Sequence, residues 1–131
     1  MIKVLIADDD SNVLNAIGRV LKANGYEVFC ALNGRRCFNI MVEKKIDVLI
    51  LDLSMPEVDG FTVFDFIRQS AEITEDSKVY EYLVRVPIII LSGFIDEKAR
   101  EWFKGRNVVA YFTKPPDVTA LIKKIEEVVA K

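Results

Sequence analysis

Hydrophobic residues follow two different spacings along this chain. Five short segments are almost continuously apolar, and the segments between them carry an apolar residue at every third or fourth position. Short apolar runs are typical of strands buried on both faces, whereas the longer spacing is typical of amphipathic helices. The predicted strands cover residues 2–7, 27–31, 48–51, 87–91 and 108–112.

Capping and turn residues bound the helices predicted between these strands. Ser11 is expected to cap the first helix, which ends at Asn24 and Gly25, and Asn33 with Gly34 predicts a turn before the second. Residues 70–84 are polar and acidic, and we expect them to extend the third helix and then form a loop. The five predicted helices begin at residues 11, 36, 60, 96 and 117.

The alternation of strands and helices predicts one α/β domain over residues 1–131. Right-handed crossovers would place the five helices on both faces of a doubly wound, five-stranded parallel sheet. At 131 residues and 51% hydrophobic, the chain can build one core and has no length for a second.

Composition and sequence pattern exclude several classes of function. A net charge of −2 is too small for a general nucleic-acid surface. The apolar runs are too short to span a bilayer, and no signal-peptide pattern follows Met1, so we expect a soluble, cytoplasmic protein. The chain has no histidine, which excludes His-based triads and His metal sites, and Cys30 and Cys37 are not spaced as a metal or redox pair.

Polar residues stand where four of the predicted strands end. Asp8 and Asp9 follow the first strand, Asp52 the third, Ser92 the fourth and Lys114 the fifth. The carboxyl ends of parallel strands share one edge of the sheet, where ligands of such folds bind. Three carboxylates at that edge would repel one another unless a cation joined them, and Mg²⁺ is the oxygen-preferring ion that fits.

Phosphoryl transfer is the chemistry that this set of groups favours. A carboxylate beside Mg²⁺ can act as the nucleophile and form an aspartyl phosphate. Mg²⁺, the Lys114 ammonium and the Ser92 hydroxyl would neutralise the phosphoryl oxygens. Asp52 is the predicted acceptor because it stands alone on the central strand.

Four motifs carry a family resemblance: LIADDD, LDLSMPEVDGF, IIILSG and YFTKPP. In this order, at matching strand ends, they resemble the response-regulator receiver domain of two-component signalling from Ile2 to Val129. The resemblance implies a flavodoxin-like sheet of order 2-1-3-4-5 and a signalling switch rather than an enzyme that turns over a metabolite. It also implies a sensor histidine kinase or phosphotransfer protein as phosphoryl donor, and a downstream protein target that the sequence does not name.

The resemblance also implies residue roles at the metal. Asp52 would be the phosphoacceptor, Asp9 a direct Mg²⁺ ligand, and Asp8 a ligand through water. Ser54 would offer its backbone carbonyl to the ion.

Further implied roles concern the switch. Ser92 and Lys114 would contact the phosphoryl group, Gly93 would leave space for it, and the Lys114–Pro115 bond would be cis. Tyr111 matches the switch aromatic, expected to turn inward as Ser92 moves toward the phosphoryl group. The face formed by the fourth predicted helix, the fifth strand and the fifth helix would then control partner binding or a phosphorylation-linked homodimer.

Two features depart from the family pattern. Asp52 and Ser92 are 40 positions apart, longer than usual, so residues 70–84 are predicted to be an insertion that serves a partner or a dimer. Phe94 is bulky and apolar near the site, where we expect it to hinder the hydrolytic water.

Other classes fit less well. An aspartyl-phosphate phosphatase would need a second carboxylate where Ser54 stands, and a dinucleotide-binding module would need glycines where Asp8 to Asp10 stand. A calcium loop would need alternating oxygen ligands. The alternative that stays open is a receiver fold used as a scaffold or dimerisation module with little phosphorylation.

Overall fold

The computed structural model describes residues 1–53, 60–73, 77–93, 95, 97–104 and 106–130. Within these residues, five strands alternate with six helices. The strands are β1 (Lys3–Ala7), β2 (Glu27–Ala31), β3 (Val48–Leu51), β4 (Ile88–Ser92) and β5 (Val108–Thr113). The helices are α1 (Ser11–Ala23), α2 (Gly34–Lys44), α3 (Gly60–Ile73), α4 (Ser77–Arg85), α5 (Glu97–Phe103) and α6 (Val118–Val129).

All four strand pairings are parallel, and the strands lie in the order β2-β1-β3-β4-β5. This confirms the predicted doubly wound sheet. The strand order reverses at β1, because β2 is added on one side of β1 and β3, β4 and β5 are added on the other. Ligands bind beyond the carboxyl ends of the strands at such a reversal.

The sheet separates two hydrophobic clusters. On the face that α1 and α6 cover, called here the α1/α6 face, the buried side chains of the described residues are all aliphatic. They are Val4, Ile6, Leu14, Ile17, Leu21, Val48, Ile50, Ile89, Leu91, Leu121 and Ile125.

The opposite side, called here the α2–α5 face, includes rings in its buried core. Phe64 and Phe103 are buried there beside Leu5, Leu49, Leu51 and Ile90, and half-buried Trp102 and Tyr111 pack against them. Cys37 is also fully buried in this cluster, as predicted, and burial raises the pKa of its thiol to about 12.

Two helix starts differ from the sequence-based expectation. Asp10, not Ser11, caps α1, because its backbone is extended and its Oδ1 accepts a hydrogen bond from the Asn12 N–H at 2.9 Å. Asn33 caps α2 in the same way, so Asn33 and Gly34 begin the helix rather than form a separate turn.

The prediction of five helices was wrong, because residues 77–85 form a helix of their own. This helix, α4, buries Leu83 against the α2–α5 face. The hydroxyl of half-buried Tyr82 accepts a hydrogen bond from the Ile46 N–H, which joins α4 to the segment that leads into β3. Apolar packing and this hydrogen bond outweigh the polar composition that favoured a loop. Residues 74–76 lie outside the described part of the chain.

β5 contains a one-residue irregularity. Ile88 pairs with Val108, but Ile89 pairs with Ala110, so Val109 is an extra residue on β5 and is 39% exposed. Successive side chains on a regular strand point to opposite faces, and a bulge shifts that alternation by one. Val108 and Tyr111 therefore both face the α2–α5 side, although they are three residues apart.

None of the described helices combines the length and the apolar character needed to cross a membrane.

Candidate functional site

The carboxyl edge of the sheet brings together the residues predicted at the strand ends. The Asp52 N–H donates to the Ala7 carbonyl at 2.9 Å, which holds the end of β3 against β1. The Lys114 N–H donates to the Ser92 carbonyl, also at 2.9 Å, which holds the end of β5 against β4. Sheet hydrogen bonding thus continues one residue past the strands and fixes where these side chains begin.

The three acidic side chains converge. One carboxylate oxygen from each of Asp8, Asp9 and Asp52 lies within 4.8 Å of the other two. Asp8 is 1% and Asp52 3% exposed, while Asp9 is exposed to solvent. Burying two carboxylates this close together is unfavourable unless cations compensate them.

Lys114 supplies one compensating charge. Its Nζ lies 2.7 Å from Asp8 Oδ2 and 3.3 Å from Asp52 Oδ2. Apart from this ion pair, Asp8 Oδ2 has no hydrogen-bond partner among the described residues, and Asp8 Oδ1 accepts from the Asp10 N–H.

The Lys114 ammonium stays charged in this setting. Burial lowers the pKa of Lys114 and is the largest single influence on it, but the contacts with Asp8 and Asp52 together outweigh burial and raise the pKa. One ammonium facing three carboxylates leaves a negative site of hard oxygen atoms, which is the donor set that Mg²⁺ prefers.

Ser92 and Gly93 complete the edge beside these charges. Ser92 is 2% exposed at the end of β4. Leaving aside its chain neighbours, a Cβ added at Gly93 would meet no heavy atom of the described residues within 4 Å, so there is open space at Gly93.

The sequence profile of the response regulator receiver domain matches residues 4–126. This chain belongs to the response-regulator receiver family. A receiver domain of this family is a phosphoacceptor signalling switch.

Relatives and solved structures agree with this assignment. The receiver chain is 28% identical over 130 residues to Protein PilH of Pseudomonas aeruginosa, and the match covers 99% of each chain. It is 32% identical over 127 residues to RpaA of Synechocystis, a DNA-binding transcriptional regulator, covering 95% of this chain but 48% of that protein. The structure of the chemotaxis response regulator CheY4 of Vibrio cholerae superposes with a TM-score of 0.78 at 26% identity, covering 98% of both chains.

Tyr111, the predicted switch residue of the receiver, lies on β5, two residues before the end of that strand. Its ring is half-buried on the α2–α5 face, with its centroid 6.2 Å from that of Phe103. The guanidinium carbon of Arg100 lies 4.6 Å from the centroid of the Tyr111 ring.

Ser54 and Phe94 lie outside the described residues, so the metal-ligand and lifetime predictions for them stay predictions. The Lys114–Pro115 bond is cis, as the resemblance implied.

Sequence reasoning missed two features of the receiver. It placed Lys114 at the phosphoryl group and did not anticipate the closer contact with Asp8. It also assigned no role to Arg100 or Arg106. Arg100 and Arg106 flank Trp102 and Phe103 in the sequence, but this spacing does not indicate that Arg100 lies over Tyr111.

Proposed function

We propose that this receiver accepts a phosphoryl group on Asp52, with Mg²⁺, from the phosphohistidine of a sensor histidine kinase or phosphotransfer protein. The observation that carries the proposal is the convergence of three carboxylates and one ammonium at the carboxyl edge of the sheet. Neither the sequence nor the relatives identify the particular phosphoryl donor. The class of the donor follows from the family assignment.

The side chains present fit a magnesium ion. Asp8, Asp9 and Asp52 would hold it, together with the backbone carbonyl of Ser54. The buried Asp8 Oδ2, which meets only the Lys114 ammonium among the described residues, supports this assignment. When bound, the ion would supply positive charge to the oxygens of the transferred phosphoryl group.

The transfer itself is a displacement at phosphorus. A carboxylate oxygen of Asp52 forms the new P–O bond as the P–N bond to the donor imidazole breaks. The departing nitrogen keeps the electron pair of that bond and takes a proton from solvent. The product is an aspartyl phosphate and a neutral histidine on the donor.

Lys114 and Ser92 would stabilise the phosphorylated form. A phosphoryl group adds about −1.5 to −2 charge. The Lys114 ammonium is already 3.3 Å from Asp52 Oδ2, so a small movement away from Asp8 would bring it to a phosphoryl oxygen. The Ser92 hydroxyl would donate to another oxygen, using the space beside Gly93.

The output would be a change in partner binding rather than turnover of a metabolite. Ser92 pairs with Thr113, two residues after Tyr111, so movement at Ser92 is passed to β5 next to the ring. A shift of Tyr111 would then bias the surface of α5, β5 and α6 between two arrangements. The partner would be a downstream protein or a second copy of this chain, and α4 is a further candidate surface for it.

Intact mass spectrometry tests the proposal directly. The receiver is incubated with Mg²⁺ and acetyl phosphate, beside Asp52→Asn and a matched control, Asp47→Asn. Asp47 lies just before β3, at the opposite end of the same strand, where its Oδ2 accepts from the Lys3 N–H. We expect one added phosphoryl group in the wild type and in Asp47→Asn, none in Asp52→Asn, and none after chelation of Mg²⁺.

The same experiment separates the alternative function. If acetyl phosphate and a panel of phosphorylated histidine phosphotransfer proteins all leave the wild type unmodified, the proposal is wrong. The receiver fold would then serve as a scaffold or dimerisation module.

A further inference from the structure

Two arginines lie over the aromatic part of the α2–α5 face. Phe64, Trp102 and Phe103 meet with ring centroids 5.1 to 5.3 Å apart. The guanidinium carbon of Arg106 lies 3.9 Å from the Trp102 ring centroid, and Arg106 Nε donates to the Trp102 carbonyl at 3.0 Å.

Arg100 makes a further cation–π contact, and this one is with Tyr111, the predicted switch ring. Its guanidinium lies over Tyr111 at 4.6 Å, on the outward side of a ring whose neighbour toward the core is Phe103. Among the described residues, Arg100 takes part in no ion pair. The contact with Tyr111 is therefore the main interaction of the Arg100 side chain among the described residues, and it joins α5 to β5.

We propose that Arg100 is a positioning residue that holds the Tyr111 ring in its unphosphorylated position and so sets how readily the receiver switches. This inference rests on the proposed function and adds a control on it. Arg100 touches neither the acidic cluster nor a phosphoryl group, and it acts only through the ring.

The physical reason is that the contact cannot survive an inward turn of the ring. Arg100 is exposed, and its charged head would have to leave water to follow Tyr111 toward Ser92. Burying a charge without a paired partner is strongly unfavourable. The inward position of Tyr111 therefore loses the cation–π contact, and the contact stabilises only the resting arrangement.

Binding of beryllofluoride with Mg²⁺ measures this balance. Beryllofluoride adds to a carboxylate as a stand-in for a phosphoryl group, and it favours the switched arrangement. When the competent arrangement is a minor species, apparent affinity is proportional to its population. An exposed cation–π contact of about 0.5–1 kcal/mol predicts that Arg100→Met binds beryllofluoride about two- to fivefold more tightly than the wild type.

Calorimetry is the suitable measurement, because it does not depend on the fluorescence of Trp102. Arg100→Lys keeps a cation over the ring and should retain most of the wild-type affinity. Arg106→Met is the matched control, since it removes a guanidinium from Trp102 rather than from Tyr111, and its affinity should equal that of the wild type. In a Tyr111→Leu background, Arg100→Met should have no effect. Thermal unfolding of each variant verifies that it is folded.

Each result has a defined meaning. If Arg100→Met binds beryllofluoride more tightly than the wild type and Arg106→Met binds it with wild-type affinity, the inference is supported. If the wild type binds beryllofluoride and Arg100→Met binds equally or more weakly, or if the gain persists in Tyr111→Leu, the inference alone is overturned. If the wild type binds no beryllofluoride and is not phosphorylated, the proposed function fails and the inference fails with it.

Discussion

The two faces of the sheet differ in the kind of side chain that fills them. The buried positions of the α1/α6 face are aliphatic and come from the sheet and two helices. The α2–α5 face also buries Phe64 and Phe103 and has arginines over its rings, whereas the rings beside the α1/α6 cluster, Tyr26 and Phe112, are only partly buried. Branched aliphatic side chains interlock in few rotamers, whereas a half-buried ring can change position without emptying a core site.

The comparison suggests a division of roles between the two faces of the sheet. The α1/α6 face supports the strands that carry Asp8 and Asp52, and it should determine stability. The α2–α5 face contains Tyr111, which we propose couples Ser92 to the surface, and it should determine the response to a phosphoryl group. Substitutions on each face can break or sharpen this distinction.

Leu21→Ala should have the largest effect of four substitutions. Leu21 is fully buried on α1, and truncating a buried leucine costs about 2 to 5 kcal/mol of unfolding free energy. Urea denaturation measures the loss. Beryllofluoride affinity, taken under conditions where the variant is folded, should stay at the wild-type value, and a change there would contradict the division.

Phe103→Leu should cost less stability and alter the response. The leucine keeps most of the buried volume but loses ring contacts with Phe64, Trp102 and Tyr111. We expect a loss of about 1 to 2 kcal/mol in urea denaturation. Beryllofluoride affinity should change as well, because the inner support of the Tyr111 ring is different. An unaltered affinity would show that the ring moves independently of its neighbour.

Tyr82→Phe tests a ring on the same face that lies far from the switch. The variant leaves the Ile46 N–H without its acceptor and should lose about 1 kcal/mol at neutral pH, with no change in beryllofluoride affinity. Urea denaturation and calorimetry give the two values. An altered affinity would extend the responsive region to α4.

The difference in unfolding free energy between the wild type and Tyr82→Phe should depend on pH. Burial raises the pKa of Tyr82 to about 12, against an opposing effect of the Ile46 N–H, while an unfolded tyrosine titrates near 10. The stability that Tyr82 contributes is therefore complete below about pH 10 and is lost as pH rises through about 12. The difference in unfolding free energy between wild type and Tyr82→Phe should shrink over that range.

Gly18→Ala should have the smallest effect and the opposite sign. A Cβ at this buried position of α1 would lie 3.8 Å from Val28 Cγ1, an ordinary contact. Alanine is favoured over glycine inside a helix by about 0.5–1 kcal/mol. We expect a stabilised receiver with wild-type beryllofluoride affinity, by the same two measurements. Destabilisation would mean that α1 packs too tightly for a methyl group.

Most of the fold could be predicted because its signals are local. Val48 to Leu51 is wholly apolar, and in the structure every one of these residues is buried. The helix α4 was missed because only some of its residues face the core, and the Tyr82 hydrogen bond that holds it joins positions 36 residues apart. Val42 on α2 is apolar yet 44% exposed, because the buried stripe of α2 follows Cys37, Ile40 and Met41.

The candidate site could also be predicted only in part from the sequence. Strand ends mark Asp8, Asp52, Ser92 and Lys114, so the sequence alone indicates which groups meet. It does not indicate their pairing, because the choice of Lys114 between Asp8 and Asp52 depends on side-chain distances of a few tenths of an ångström. The position of Arg100 over Tyr111 depends on the packing of a seven-residue helix, which no local pattern encodes.

The extra residue at Val109 gives the two halves of β5 separate alignments. Before it, Val108 is aligned by its pairing with Ile88; after it, Thr113 pairs with Ser92 and Lys114 is held by the Ser92 carbonyl. An insertion or deletion that ends before Val109 can be absorbed by the first half without rotating Tyr111 or Lys114 to the wrong side. We therefore expect the loop between α5 and β5 to tolerate changes in chain length that leave Tyr111 and Lys114 in place.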